Sequence, residues 1–101
     1  MTYKRIDQSI ARELMCERDA VVVDIRDPNS YSAGHINDSL HLDNVSVQTF
    51  IGNANKSVPL IVCCYHGNSS QAAADFFSQQ GFNECYSLDG GYTAWQQAGL
   101  D

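Results

Sequence analysis

The segment that decides the fold is Pro59-Leu-Ile-Val-Cys-Cys64, followed by the polar segment Tyr65-His-Gly-Asn-Ser-Ser70. After its opening proline the first segment is apolar without alternation, which is typical of a parallel strand covered on both faces. Residues 71–80 then have the spacing of an amphipathic helix, and Gly81 ends it. The apolar positions of this helix are Ala72, Ala73, Phe76 and Phe77. We therefore predict a central strand, a polar loop and a helix in direct succession.

Strands and helices also alternate on both sides of this segment. Ser9 is the predicted N-cap of a helix over residues 9–18. The residues predicted to face the core from this helix are Ile10, Leu14 and Met15. Residues 20–25 are apolar and rich in β-branched side chains, which predicts a buried strand that ends at the turn residues 27–29. The other predicted elements are a short helix at 30–33, a strand at 39–42, a helix at 45–54, a strand at 84–88, a Gly90-Gly91 turn and a helix at 92–98.

The order of these elements determines the predicted fold class. Strands that alternate with helices, without hairpin turns between paired strands, favour right-handed crossovers and a mainly parallel sheet with helices on both faces. The chain has 101 residues, enough for one hydrophobic core, and 44% of them are hydrophobic. We therefore predict a single α/β domain over residues 1–101. Ligands of such sheets bind at the carboxyl ends of the strands, where the loop after Cys64 lies.

The charge of the chain limits its partners. The formal net charge is -6, and residues 57–101 contain no Lys or Arg. A nucleic acid is therefore not expected as a partner, because its phosphates would be repelled. An anion bound in the second half of the chain must rely on backbone N–H groups.

The N-terminal residues and the cysteines indicate a compartment. The first residues lack the apolar core of a signal peptide, and the apolar stretches are too short to span a membrane. The four cysteines include one adjacent pair and no CxxC motif, which is a poor disulfide framework. We therefore expect a cytoplasmic protein with reduced thiols and no membrane partner.

Cys64 is the candidate nucleophile. It ends the central strand, Gly67 permits the positive φ of a tight loop, and Ser69 or Ser70 is suited to cap the following helix. Backbone N–H groups of residues 65–70 can then converge above the thiol and stabilise its charge. An ordinary thiol is only about 3% ionised at pH 7, and a pKa lower by about two units makes it mostly thiolate.

A purely structural interpretation of the cysteines stays open at this point. Free cysteine is among the most buried residue types, and Cys16, Cys63 and Cys85 are expected to be packed apolar residues. Cys64 differs from them because a loop rich in Gly and Ser follows it.

Four segments of the chain, in their order, are similar to motifs of the rhodanese family. Val23-Asp-Ile-Arg-Asp-Pro28 resembles the first strand and turn of the family, and Tyr31-Ser-Ala-Gly-His-Ile36 resembles its N-terminal signature. Cys64-Tyr-His-Gly-Asn-Ser69 resembles its active-site loop, and Leu88-Asp-Gly-Gly-Tyr-Thr-Ala-Trp95 its C-terminal signature. The likeness covers nearly the whole chain and is greatest to the single-domain thiosulfate sulfurtransferases of the GlpE type. The loop lacks the arginines of the larger two-domain rhodaneses, so the preferred sulfur donor stays open.

The resemblance implies a ping-pong sulfur transfer. The thiolate of Cys64 would attack the outer sulfur of thiosulfate, release sulfite and pass the sulfur from its persulfide to cyanide or to a thiol, such as that of a thioredoxin-like protein. It also implies that no metal or organic cofactor is needed. The net charge favours a protein thiol or a persulfide donor as the physiological partner, because the chain repels thiosulfate at long range.

The resemblance suggests roles for the neighbours of Cys64. The candidate substrate-binding residues are Tyr65, His66, Gly67, Asn68, Ser69 and Ser70. Tyr65 and Asn68 are expected to contribute backbone N–H groups and wall area, whereas Ser69 and Ser70 are expected to cap the helix and donate their hydroxyls to the persulfide. His66 either orients a substrate or is simply an exposed loop side chain.

Five further residues of the signature segments have structural interpretations. Asp24 and Arg26 either reach the site or form a structural ion pair, and their apolar setting favours the pair. His35 is expected to be bonded to the backbone. Tyr92 and Trp95, at helical spacing, are expected in the core.

Rival functions are less well supported by the residues. Related phosphatases grip phosphate with an arginine at the end of the loop, and this chain has no arginine after Arg26. A zinc site at Cys63, Cys64 and His66 is disfavoured because adjacent residues of a strand point to opposite faces. The alternative that remains is a non-catalytic rhodanese-like module that binds a protein or relays sulfur.

Overall fold

The computed structural model describes residues 2–99, and within them five strands form one parallel sheet. The strands are β1 (Lys4–Ile6), β2 (Val21–Asp24), β3 (Leu40–His41), β4 (Leu60–Cys63) and β5 (Cys85–Leu88). Their order across the sheet is β1-β5-β4-β2-β3, so β4 is the middle strand. This confirms the predicted parallel sheet and the predicted central position of the strand before Cys64.

A helix follows each strand along the chain. The helices are α1 (Gln8–Glu17), α2 (Pro28–Ala33), α3 (Val47–Asn53), α4 (Ser69–Gln79) and α5 (Gly91–Gln97). Successive strands are therefore joined through helices, as parallel pairing requires.

The core lies on both faces of the sheet, and β4 contributes to each. Leu60 and Val62 of β4 pack in one cluster with residues of α3 and α4. Ile61 and Cys63 pack in a second cluster with residues of α1 and α5. The helix residues in these clusters are Ile51, Ala74 and Phe77 on the first face, and Ala11 and Trp95 on the second. This double coverage explains why β4 is apolar at every position.

The start of α1 differs from the prediction. The N-cap is Asp7 rather than Ser9, because the carboxylate of Asp7 accepts a hydrogen bond of 3.0 Å from the backbone N–H of Ile10. Ala11, Leu14 and Met15 are three and four residues apart and share the inner face of the helix, whereas Ile10, predicted to face the core, is 45% exposed. Leu14 and Met15 pack against the core, as predicted.

The starts of two other helices also correct the prediction. The second helix begins at Pro28 rather than at residue 30, because Asp27 caps it and proline suits its first position. The N-cap of α4 is Asn68, so Ser69 and Ser70 lie inside the first turn and do not cap the helix. The buried face of α4 is Ser70, Ala74 and Phe77, and the predicted core residues Ala72 and Phe76 are exposed.

The sequence prediction missed β1. This strand has three residues, two of them exposed, and it pairs only with β5 at the edge of the sheet. Lys4 and Arg5 are charged, and without an apolar run the strand has no sequence signal. Within residues 2–99, no helix has the length and apolar character needed to cross a membrane.

Candidate active site

The sulfur of Cys64 lies at the carboxyl end of the middle strand, inside the loop that leads to α4. Its Sγ accepts hydrogen bonds from the backbone N–H groups of Gly67, at 3.1 Å, and Ser70, at 3.3 Å. The hydroxyl oxygen of Ser70 lies 3.2 Å from the same sulfur. The loop is thus closed around the thiol, and the side chain of Cys64 is buried.

Gly67 has the backbone conformation that closes this loop. Its φ is +90°, a region that side chains other than glycine rarely adopt. A Cβ at this position would also lie 2.9 Å from the amide nitrogen of Gly90 and 3.1 Å from the carbonyl oxygen of Leu88. The positive φ and the lack of space for a Cβ both require glycine at this position. In the resulting turn the N–H of residue 67 points toward the sulfur.

The turn between β5 and α5 holds the loop from the other side. The backbone N–H groups of Tyr92 and Thr93 donate to the carbonyl oxygens of Cys64 and Tyr65, at 2.8 and 3.1 Å. A Cβ at Gly91 would lie 2.4 Å from the carbonyl oxygen of Cys64. Gly91 therefore lets the two segments touch, a role that the sequence alone did not indicate.

Two opposing effects set the pKa of the Cys64 thiol. Burial raises the pKa, but hydrogen bonds from the Ser70 hydroxyl and from the N–H groups of Ser70, Gly67 and His66 lower it. The hydrogen bonds together outweigh burial, so the pKa lies below that of an ordinary thiol. Burial without such bonds has the opposite result, because it raises the pKa of Cys63 to about 12 and that of Cys85 to about 11.

A hydroxyl that the sequence analysis missed lies behind Ser70. The Oγ of Ser87, in β5, is 2.7 Å from the Oγ of Ser70, and both residues are fully buried. Their hydroxyls form a chain to the sulfur of Cys64. The only signal in the sequence was a polar residue inside a predicted strand.

The remaining loop residues face outward. The side chains of Tyr65, His66, Asn68 and Ser69 are exposed. The hydroxyl of Tyr65 donates to the carboxylate of Asp27 and lies 3.2 Å from the Oγ of Ser30, which ties the loop to the start of α2. Around Cys64, the structure thus brings together the backbone of the loop and the side chain of Ser70.

Asp24 and Arg26 form a buried ion pair. The Nη2 of Arg26 donates to Oδ2 of Asp24 at 2.7 Å and to the carbonyl oxygen of Gly34 at 2.8 Å. The guanidinium also lies 4.3 Å from the centre of the Tyr92 ring. The side chain of Arg26 is 5% exposed and that of Asp24 is 1% exposed. The two residues therefore make these hydrogen bonds inside the fold, as the structural interpretation predicted.

Other residues that were predicted to have structural roles include His35, Tyr92, Trp95 and Cys16, and the prediction was wrong for Cys16. The Nδ1 of His35 lies 2.8 Å from the carbonyl oxygen of Tyr31, and Trp95 is in the core, as predicted. Tyr92 packs against the core while half-buried. Cys16, however, is exposed, because it lies on the outer side of α1 and is not a packed apolar residue.

The arrangement of the cysteines leaves them as free thiols. Cys63 packs in the core cluster with Ile61, whereas the sulfur of Cys64 faces the loop. None of the four cysteines forms a disulfide. Among residues 2–99, no three His, Cys, Asp or Glu side chains are grouped as a metal site would require.

Comparison with known proteins places this site in a family. The sequence profile of the Rhodanese-like domain matches residues 7–98, which include the loop, α4 and the β5–α5 turn. The chain belongs to the rhodanese family. The elements that position Cys64 therefore all lie within the rhodanese-like domain.

Curated relatives are similar in sequence to this protein over most of its length. A protein of Pseudomonas paraeruginosa named thiosulfate sulfurtransferase GlpE is 57% identical over 95 residues, which are 94% of this chain and 86% of the relative. Proteins with the same name from Ectopseudomonas mendocina and Pseudomonas putida are 56% and 53% identical over 94 residues, covering 93% of this chain and 85% and 86% of theirs.

Solved structures share the fold. A rhodanese-related protein from Thermoplasma volcanium has a TM-score of 0.82 and 27% identity, and the match covers 98% of this chain and 96% of that one. The thiosulfate sulfurtransferase of Pseudomonas aeruginosa has a TM-score of 0.85 at 20% identity, over 98% of this chain and 19% of that one. The second likeness is one of fold alone.

Proposed function

We propose that this rhodanese-like domain is a thiosulfate sulfurtransferase in which Cys64 carries the transferred sulfur as a persulfide. The observation that carries the proposal is the Cys64 sulfur, which two backbone N–H groups and a hydroxyl surround in a loop with no positive side chain. The shared name of relatives that are 53% to 57% identical agrees with it.

The first half-reaction loads the sulfur. The thiolate of Cys64 attacks the outer sulfur of thiosulfate, a new S–S bond forms, and the bond from that sulfur to the sulfonate breaks. Sulfite leaves with the electron pair of the broken bond. The outer sulfur of the resulting persulfide carries one negative charge, so the total charge is unchanged. A lowered thiol pKa supports this step, because the thiolate is the nucleophile.

The loop backbone would stabilise the anions of this step. Thiosulfate and the persulfide are negatively charged, and residues 57–99 contain no Lys or Arg to bind them. The N–H groups of Gly67 and Ser70 already converge on the sulfur. We assign Tyr65, His66, Asn68 and Ser69 to the wall of the substrate site, because they lie in the loop around the sulfur and are exposed.

The second half-reaction unloads the sulfur. Cyanide or a thiolate attacks the outer sulfur of the persulfide, the S–S bond breaks, and Cys64 returns to the thiolate. The products are thiocyanate or an acceptor persulfide. We infer a thiol of a thioredoxin-like protein as the physiological acceptor, because a protein surface can complement the net charge of -6. A cytoplasmic location fits this chemistry, which needs reduced thiols.

A non-catalytic module that binds a protein or relays sulfur is not favoured. The sulfur of a module that only binds a protein would need no hydrogen bonds, whereas the Cys64 sulfur has them. The relatives that cover most of the chain are also named as enzymes.

The test is the intact mass of the protein after exposure to thiosulfate and then to cyanide. We expect the wild type to gain one sulfur atom and to lose it to cyanide. Cys64→Ser should gain none, and Cys16→Ser, which alters the exposed cysteine of α1, should behave as the wild type. A wild type without added sulfur, or a loaded Cys64→Ser, would contradict the proposal.

A further inference from the structure

Ser87 is a fully buried polar residue beside apolar residues of the sheet. It lies opposite Val62 in the register of β5 and β4, and Cys85, two residues earlier on the same face, packs in the first core cluster. A hydroxyl at such a position costs stability unless it is hydrogen-bonded. The hydroxyl of Ser87 lies 2.7 Å from that of Ser70.

The contact with Ser70 connects Ser87 to the sulfur. The Ser70 hydroxyl lies between two partners, the Oγ of Ser87 at 2.7 Å and the Sγ of Cys64 at 3.2 Å. All three residues are buried, so bulk water does not compete for these bonds. The three side chains come from β5, α4 and the end of β4, and they meet only in the folded protein.

The charge of the sulfur determines the direction of the hydrogen bonds. A neutral thiol can donate its S–H to the oxygen of Ser70. A thiolate accepts only, so Ser70 must donate its single hydroxyl proton to the sulfur. The oxygen of Ser70 is then free to accept, and Ser87 is placed to donate to it.

We infer that Ser87 is a positioning residue that, through the hydroxyl of Ser70, holds a proton toward the sulfur of Cys64 when this sulfur is negatively charged. The inference deepens the proposed function and rests on it for its role in catalysis. Ser87 does not touch the sulfur. Its effect comes from orienting and polarising the Ser70 hydroxyl, because linked hydrogen bonds strengthen one another.

The measurement is the rate at which iodoacetamide alkylates Cys64 as a function of pH, followed by peptide mass. All variants carry Cys16→Ser, because Cys16 is the other cysteine that the reagent can reach. We expect Ser70→Ala to raise the pKa of Cys64 by about one unit and Ser87→Ala by about half a unit. The loading rate with thiosulfate should fall about threefold in Ser87→Ala at a pH below that pKa.

The matched control is Ser39→Ala. Ser39 is another buried serine, 4% exposed, and its hydroxyl has no hydrogen-bond partner. The same atoms are removed, but from a hydroxyl that is not part of the hydrogen-bonded chain to the sulfur, so the pKa of Cys64 should stay at the wild-type value. Alanine keeps the Cβ of serine, and unfolding curves of each variant verify that the fold is retained.

Other titratable groups surround the site and stay the same in the comparison. They are Cys63, whose thiol stays protonated because its pKa is raised to about 12, His66 in the loop, Asp89 in the β5–α5 turn and Arg5, which lies opposite Ser87 in the register of β1 and β5. Since none of them changes in Ser87→Ala, the difference between the variants reports the hydroxyl.

A double variant decides whether Ser87 acts through Ser70. In the Ser70→Ala background, Ser87→Ala should produce no further shift. An equal shift in both backgrounds would overturn the inference, and so would a Ser87→Ala profile that matches Ser39→Ala. If the wild type takes no sulfur from thiosulfate while the Ser87 shift is present, the proposed function fails but the hydroxyl chain is supported.

Discussion

The amide nitrogen of Gly67 lies 3.1 Å from the Sγ of Cys64, and the φ of +90° at Gly67 makes this contact possible. The two residues are three apart in the chain, so the loop forms its own anion site. Nothing charged is needed from a distant side chain. Ser70, in the first turn of α4, adds its backbone N–H and its hydroxyl to this site. The segment at Tyr92 and Thr93 holds the loop in place through its backbone.

We expect Gly67→Ala to damage both the site and the fold. The positive φ and the close contact with the backbone of Gly90 should lower the free energy of unfolding by about 2 kcal/mol. Loading of Cys64 with sulfur should slow about tenfold or more, because the N–H of residue 67 is displaced. Urea unfolding and single-turnover loading with thiosulfate measure the two effects.

Gly52→Ala is the control for this prediction. A Cβ at Gly52, inside α3, would meet nothing within 4 Å. Alanine is favoured over glycine in a helix, so this variant should be more stable by about 0.5 kcal/mol and load sulfur at the wild-type rate. Equal behaviour of the two variants would show that the conformation of Gly67 is unimportant.

The lowered pKa of Cys64 predicts how stability depends on pH. Between the pKa of the folded and that of the unfolded protein, the unfolded thiol holds a proton and the folded one does not, so stability rises with pH. The wild type should therefore gain stability over Cys64→Ser as pH rises toward about 8.5, the value of a free thiol, and lose this advantage as pH falls through the folded pKa. If the difference in free energy of unfolding between the wild type and Cys64→Ser stays constant across this pH range, the pKa of the Cys64 thiol is that of an ordinary thiol.

Breaking the ion pair of Asp24 and Arg26 should affect stability more than chemistry. Asp24→Asn leaves the buried guanidinium without its counter-charge, so we expect a loss of about 3 kcal/mol in the free energy of unfolding. The pKa of Cys64 in the folded variant should not change. Glu84→Gln, at the exposed pair of Glu84 and Arg18, is the control and should cost much less. A shift of the Cys64 alkylation profile in Asp24→Asn would show that the pair acts on the site.

Ionic strength tests whether the net charge of -6 limits the approach of thiosulfate. If long-range repulsion limits it, the second-order rate constant of loading should rise severalfold between about 0.01 M and about 0.15 M salt. The reaction of Cys64 with neutral iodoacetamide should show no such rise. A thiosulfate rate constant that stays level or falls with salt would remove this argument for a protein partner.

Much of the fold was predictable because its signals are local. Patterns of neighbouring residues predicted the apolar strand 59–64, the amphipathic helix after it and the tight loop at its glycine. The structure confirms them as β4, α4 and the turn at Gly67. Errors fell at helix starts, where Asp7 rather than Ser9 caps α1, because several polar residues compete for the cap. The edge strand β1 was missed because its exposed residues need no apolar pattern.

By itself, the sequence determined the alternation of strands and helices, the central strand and Cys64 as the thiol at its end. Only the tertiary structure decided that Ser87 lies behind Ser70, that Gly91 permits the contact with the Cys64 loop, and that Arg26 also donates to the carbonyl oxygen of Gly34. The physical reason is that backbone preference and periodicity act over a few residues. The partner of a buried polar group is instead set by which strands and helices the fold brings together.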